Sequence, residues 1–113
     1  MIQRFEVNLL TEAFEFLEKQ DLKSRKKIFQ NMNRAQYHTD LKLFKKLERE
    51  IWELRTLYIG KQYRLLAFWD KTINTKALVL ATHGTIKKTS KVDKKEIGKD
   101  ERIRQAYFKN RKL

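Results

Sequence analysis

The 113-residue chain has no cysteine and no proline, and only three glycines, Gly60, Gly84 and Gly98. Lack of cysteine excludes a disulfide framework, a thiolate nucleophile and any zinc site built on sulfur. Two isolated histidines, His38 and His83, make a poor metal set. Without proline, punctuation of the chain falls to the glycines. No apolar run approaches the roughly 20 residues of a membrane span. The opening MIQRFEVNLL shows no signal-peptide pattern, so a cytoplasmic location is expected. Repeats, low-complexity tracts and linkers are also missing.

Acidic charge is scarce as well. The chain carries 27 Lys+Arg against 14 Asp+Glu, a net charge of +13. Residues 84–113 hold 11 Lys+Arg and 4 Asp+Glu, so over half of the excess lies in the last 30 residues. Such a surface attracts polyanions. Nucleic acid is the commonest of these, because neutralised phosphates release counterions. With 41% hydrophobic residues the composition is globular rather than disordered. The length fits one domain spanning 1–113.

Residues 2–9 alternate and suit a short edge strand. Thr11 is placed to cap a helix with Glu12 and Glu15 in its first turn. Leu10, Phe14 and Leu17 form its apolar stripe. Asp21 starts a second helix with Ile28, Met32 and Ala35 inward and Lys23, Arg25, Lys26 and Lys27 outward. Residues 41–58 are ambiguous, because Leu43, Leu47, Ile51, Leu54 and Tyr58 have near-helical spacing while IWELRTLYI is rich in strand formers. QYRLLAFWD (62–70) and KALVLATHG (76–84) read as strands joined through KTIN (71–74). Leu78 to Ala81 lack polar alternation, as in a central strand covered on both faces. A final helix from about Lys94 to Phe108 is expected, with Ile103, Ala106 and Tyr107 on one side. The fold class is α+β: an antiparallel sheet packed by an N-terminal helical hairpin, with a C-terminal helix.

The chain has no Gly-rich phosphate loop, metal-ligand run, nucleophile elbow or obvious carboxylate dyad. What remains is a basic, aromatic set in the second half: Arg55, Arg64, His83, Lys87, Lys88 and Tyr107. Such a set suits RNA cleavage in which a ribose 2′-hydroxyl attacks the neighbouring phosphate. Arg and Lys stabilise the negative transition state, and His83 is the natural proton acceptor by its ordinary pKa. Each residue has a structural alternative. Arg64 and Arg55 can pair with Glu53, His83 can be a satisfied core histidine, and Lys87 and Lys88 can be solvated surface. Tyr107 can be core, as can Trp52 and Trp69, which otherwise would stack bases. His38 sits in a polar loop with no assigned role.

Several ordered pieces carry a resemblance over residues 43–108. They are W-E-L-R at 52–55, Y-R at 63–64, H-G at 83–84, K-K-T at 87–89, and E-I at 96–97 followed by an arginine-bearing helix. Together they resemble the phage-related, HigB-like branch of the RelE/ParE toxins. Thr85-Ile86 stand where many relatives have an aromatic residue, and Asp93 where many have proline. The resemblance implies a strand at 51–57, with at most a short helical turn around 43–50. It implies a toxin held by a helix-turn-helix antitoxin, with the ribosome and mRNA as targets and no cofactor. Activity would be ribosome-dependent mRNA cleavage by Arg55, Arg64, His83, Lys87, Lys88 and Tyr107. Arg64→Ala would then lose most cleavage in a normally folded protein. The alternatives are a ParE-like gyrase inhibitor without catalysis or a plain basic nucleic-acid-binding module.

Overall fold

The computed structural model describes residues 2–72, 77–87 and 93–111. Branched and aromatic residues in the middle of the chain form four consecutive antiparallel strands: β2 (Phe44–Glu48), β3 (Ile51–Tyr58), β4 (Lys61–Asp70) and β5 (Leu78–Lys87). A short strand near the start, β1 (Glu6–Leu9), lies parallel to β5. The sheet order is β1-β5-β4-β3-β2, so the α+β fold has a mixed sheet with β1 at one edge. Residues 78–81 of β5 are covered on both faces, as their lack of polar alternation predicts.

Helices α1 (Thr11–Glu18) and α2 (Leu22–Tyr37) follow β1, and α3 (Lys94–Arg111) ends the chain. Asp21 caps α2, its Oδ1 accepting from the Ser24 amide at 2.9 Å. Asp93 does the same for α3, accepting from the Lys95 amide at 2.9 Å. The start of α1 differs from expectation. Leu10 occupies the capping position without a side-chain bond, and Thr11 is already helical. The inward stripe is also shifted: Ala13 and Leu17 are buried, while Phe14 is half exposed. Phe14 would overfill the site that the small Ala13 leaves for close approach to the sheet.

Residues 44–48 are a strand rather than a helical turn. The near-helical spacing of Leu43, Leu47, Ile51 and Leu54 is overruled by cross-strand packing: Phe44 pairs with Leu54 and stacks on Trp52 at 4.7 Å. Of the 71–74 connection, only Lys71 and Thr72 lie within the described residues.

The two faces of the sheet bury different chemistry. Toward α1 and α2 lies an apolar core of Phe5, Ala13, Leu17, Ile28, Met32, Phe44, Leu54, Leu65, Val79 and others, with Trp52 and Trp69 packed against it. Both tryptophans are thus core residues. Toward α3 lies a smaller cluster of Phe68, Leu78 and Leu80, joined by Tyr107 and Phe108. Beside it are the buried polar groups Glu53, Arg64, Asp70, Thr82, His83 and Asp100. Among the described residues no helix is long and apolar enough to cross a membrane.

Candidate functional site

The β3–β4 hairpin sets the first part of the geometry. Ile59 and Gly60 connect the strands with φ of +47° and +73°. Two positive-φ residues suit a tight hairpin whose twist matches its strands, and glycine takes the second at no steric cost. Tyr58 then faces Lys61, and Arg55 faces Arg64 directly. Like charges directly opposite on one face of a sheet destabilise it. Here Glu53 lies between them. Arg64 Nη1 donates to Glu53 Oε2 at 3.1 Å, and Arg55 Nε lies 3.4 Å from Oε1. Burial, the largest influence, holds the Glu53 carboxyl above its usual range, and the two guanidiniums pull against it.

Register between β4 and β5 brings the rest together. Arg64 faces Thr85, Leu66 faces His83, and Gln62 faces Lys87. Thr82 is the extra residue of a bulge between Leu66 and Ala67. Without that bulge, strand alternation would send His83 to the same face as Val79 and Ala81, into the apolar core. With it, His83 joins Arg64 and Arg55 on the α3 side. Gly84 then takes the position facing α1, where a Cβ would sit 2.2 Å from the Phe16 ring. The H-G pair thus has two physical reasons: a bulge that re-aims the imidazole, and room for Phe16.

His83 is 3% exposed. Thr82 donates its hydroxyl proton to Leu66 O at 3.2 Å, while Thr82 Oγ1 lies 2.9 Å from His83 Nδ1. The imidazole tautomer sets the direction of that second contact. Nε2 lies 3.5 Å from Glu96 Oε1. Burial lowers the His83 pKa despite Glu96, which favours the neutral ring.

Helix α3 closes this face. Tyr107 packs on Phe68 at 5.3 Å between centroids and donates to Asp70 Oδ2 at 2.7 Å. Lys99 Nζ reaches Glu12 of α1 at 2.9 Å. Asp100 is fully buried, and burial pushes its pKa up to about 8. Thr82 and the Ala67 backbone lie close enough to favour its charge, yet no hydrogen bond of ordinary geometry reaches either oxygen. Burial thus favours the neutral carboxyl of Asp100.

Of the residues singled out in sequence, Arg55, Arg64, His83 and Lys87 share the α3-facing side of β3–β5, and Tyr107 covers it from α3. Lys88 lies outside the described residues. The pairing of both arginines with Glu53 holds. Arg64 is only 1% exposed, which corrects the expectation that Arg64→Ala folds normally: truncation would leave Glu53 buried beside one partner fewer. Sequence reasoning missed Thr82, Glu96 and Asp100. The available signal was spacing on α3, where Glu96, Asp100, Ile103 and Tyr107 recur every three or four residues. Among the described residues no group of three or more His, Asp or Glu side chains is placed to hold a metal ion.

Taken together, fold and site define a small basic α+β protein with a cationic sheet face shut under a C-terminal helix. A model of the family described as Phage derived protein Gp49-like (DUF891) matches residues 15–105, so the chain belongs to that family. The family is linked to toxins of the RelE/HigB type from toxin–antitoxin systems. No curated protein and no solved structure matches the chain significantly.

Proposed function

We propose that this protein is the toxin of a toxin–antitoxin pair and cuts mRNA on the ribosome. The observation that carries the reading is the row Arg55–Arg64–Thr85 across three strands, flanked by His83 on one side and Lys87 on the other. Two opposed arginines in a sheet weaken the fold, and a phosphate between them gives that arrangement a use. In the reaction the 2′-oxygen bonds to phosphorus and the bond to the 5′-oxygen breaks, leaving a 2′,3′-cyclic phosphate on one fragment while the departing 5′-oxygen takes a proton from water. His83 Nε2 accepts the 2′-hydroxyl proton. Arg55, Arg64, Lys87 and Lys88 stabilise the charge on the phosphoryl oxygens, and Tyr107 orients the nucleotide. RNA reaches Arg64 and His83 once α3 shifts from the sheet. A helix-turn-helix antitoxin in the cytoplasm would hold the toxin silent, and its acidic or amphipathic segment would associate fastest at low salt.

Burial of Arg64 and His83 favours a second reading, in which the face is structural and the protein is a non-catalytic toxin of the gyrase-inhibiting kind or a plain nucleic-acid-binding module. Cleavage-site mapping on a defined mRNA, with and without programmed ribosomes, separates the two. Cuts at A-site codons only with ribosomes are expected. Intact mRNA in both conditions, from folded protein, would sink the nuclease reading.

A further inference from the structure

The β2 strand begins at Phe44, and the Arg55 amide makes the last bond to this part of the chain, to Leu43 O at 2.8 Å. Beyond it the edge of β3 is left bare, and a cleft of about 360 Å³ opens between that edge, α2 and the 40–43 turn. Four cations line it: Lys27, Arg34, Lys42 and Arg55. The one carboxylate in the lining, Asp40, accepts from the Lys42 amide at 2.9 Å. Among the described residues, no carboxylate lies within ion-pair distance of Lys27, Arg34 or Lys42. Lys27 and Arg34 sit two helical turns apart on α2, about 10 Å along its axis.

We infer that this cleft binds the phosphodiester backbone of single-stranded RNA and leads it to Arg55. The inference deepens the reading of the protein as an RNA-cutting toxin. Continuity is the first argument. Arg55 belongs both to the cleft and to the cross-strand row with Arg64, so a strand held at one continues to the other. Wall chemistry is the second. Gln62, also in the lining, has a buried Oε1 with no hydrogen-bond partner. That acceptor needs a donor, which a ribose 2′-hydroxyl supplies. Leu57, largely exposed, adds an apolar wall for a sugar or base. Helix composition is the third: α2 carries five Lys and Arg and no acid over residues 22–37.

The test is binding of a short unstructured, labelled RNA by the triple variant Lys27→Ala, Arg34→Ala, Lys42→Ala, followed by fluorescence anisotropy across a salt series. Each side chain is half-buried or exposed, so the variant should melt like the wild type by circular dichroism. Affinity should fall at least tenfold. The slope of log affinity against log salt should become shallower by about 2, from three phosphate contacts at roughly 0.7 each. The control Lys19→Ala, Lys71→Ala, Lys109→Ala removes equal charge elsewhere and should change much less. Equal losses in both variants would reduce the cleft to net charge and overturn the inference. Unchanged RNA binding, or loss of polyglutamate binding alone, would overturn it too. The two readings fail separately. RNA binding localised to the cleft without ribosomal cleavage sinks the nuclease and keeps the cleft. Cleavage with RNA binding indifferent to the triple variant sinks the cleft and keeps the nuclease.

Discussion

The sheet has two buried faces, and they are built on opposite principles. Under α1 and α2, Phe5, Phe44, Trp52 and Trp69 interlock at centroid distances between 4.7 and 5.9 Å, and most neighbours are apolar, with the few buried polar side chains paired as Asn31–Thr56 and Tyr63–Ser24. This face contributes stability through removal of apolar area from water. Under α3, a comparable degree of burial is spent on Glu53, Arg64, His83, Asp70 and Asp100. Buried charges rarely improve on apolar packing, because desolvation offsets much of their attraction. Polar burial of this kind costs stability and suits a surface that has chemistry to perform once uncovered.

The largest expected effect comes from breaking the charge set on the α3 face. Glu53→Ala removes the carboxylate that Arg64 and Arg55 share and should cost about 3–5 kcal/mol in urea unfolding. The double variant Glu53→Leu, Arg64→Met should recover most of that while abolishing cleavage. A double variant as unstable as the single one would mean that this face is packed as tightly as the other.

Next comes Asp100. Between 3.8 and about 8 the folded protein holds a proton that the unfolded chain has released. Wild-type stability should therefore fall as pH rises through that window, by up to about 1.4 kcal/mol per unit, and level off above it. Asp100→Asn removes this dependence, so the gap between variant and wild type should widen in the variant's favour from pH 5 to pH 8. Parallel stability curves would show that Asp100 is not held neutral.

A smaller effect probes the opposite face. Gly84→Ala drives a methyl into the Phe16 ring and should cost about 2 kcal/mol by thermal melting. Thr85→Ala, one residue on and facing α3, should cost less. Equal losses would mean that the two faces tolerate change alike at this point.

The smallest concerns the tie between the α3 helix and the sheet. Tyr107→Phe loses the bond to Asp70, which keeps Thr72 as donor at 2.9 Å from its backbone amide. The expected cost is about 1 kcal/mol. If Tyr107 only fastens the helix, cleavage on ribosomes should persist or rise. A large drop in cleavage with little change in stability would place the phenol on the nucleotide.

Much of this architecture was legible in the chain. Asp21 announced α2, Ile28, Met32 and Ala35 marked its inner stripe, and Leu78 to Ala81 declared a strand buried on both sides. Local chemistry is enough there, because a cap needs only a side-chain oxygen and a stripe only a period. The 43–50 segment is ambiguous in sequence, since near-helical leucine spacing cannot reveal that Phe44 will find Trp52 across a hairpin. The site was half visible. An arginine inside the apolar run QYRLLAFWD demanded a partner, and Glu53 was in reach.

The sequence by itself determined the charge, the α+β order of elements and the basic residue types of the candidate site, because composition and periodicity are local properties. Only the tertiary structure decided which residues meet. One extra residue at Thr82 turns His83 out of the apolar core and onto the arginine face. A C-terminal helix of weak amphipathicity becomes the cover because Tyr107 and Phe108 find partners on strands far away in the chain. Side-chain alternation follows from the backbone alone, but a bulge depends on the strand beside it, and no reading of one segment contains its neighbour.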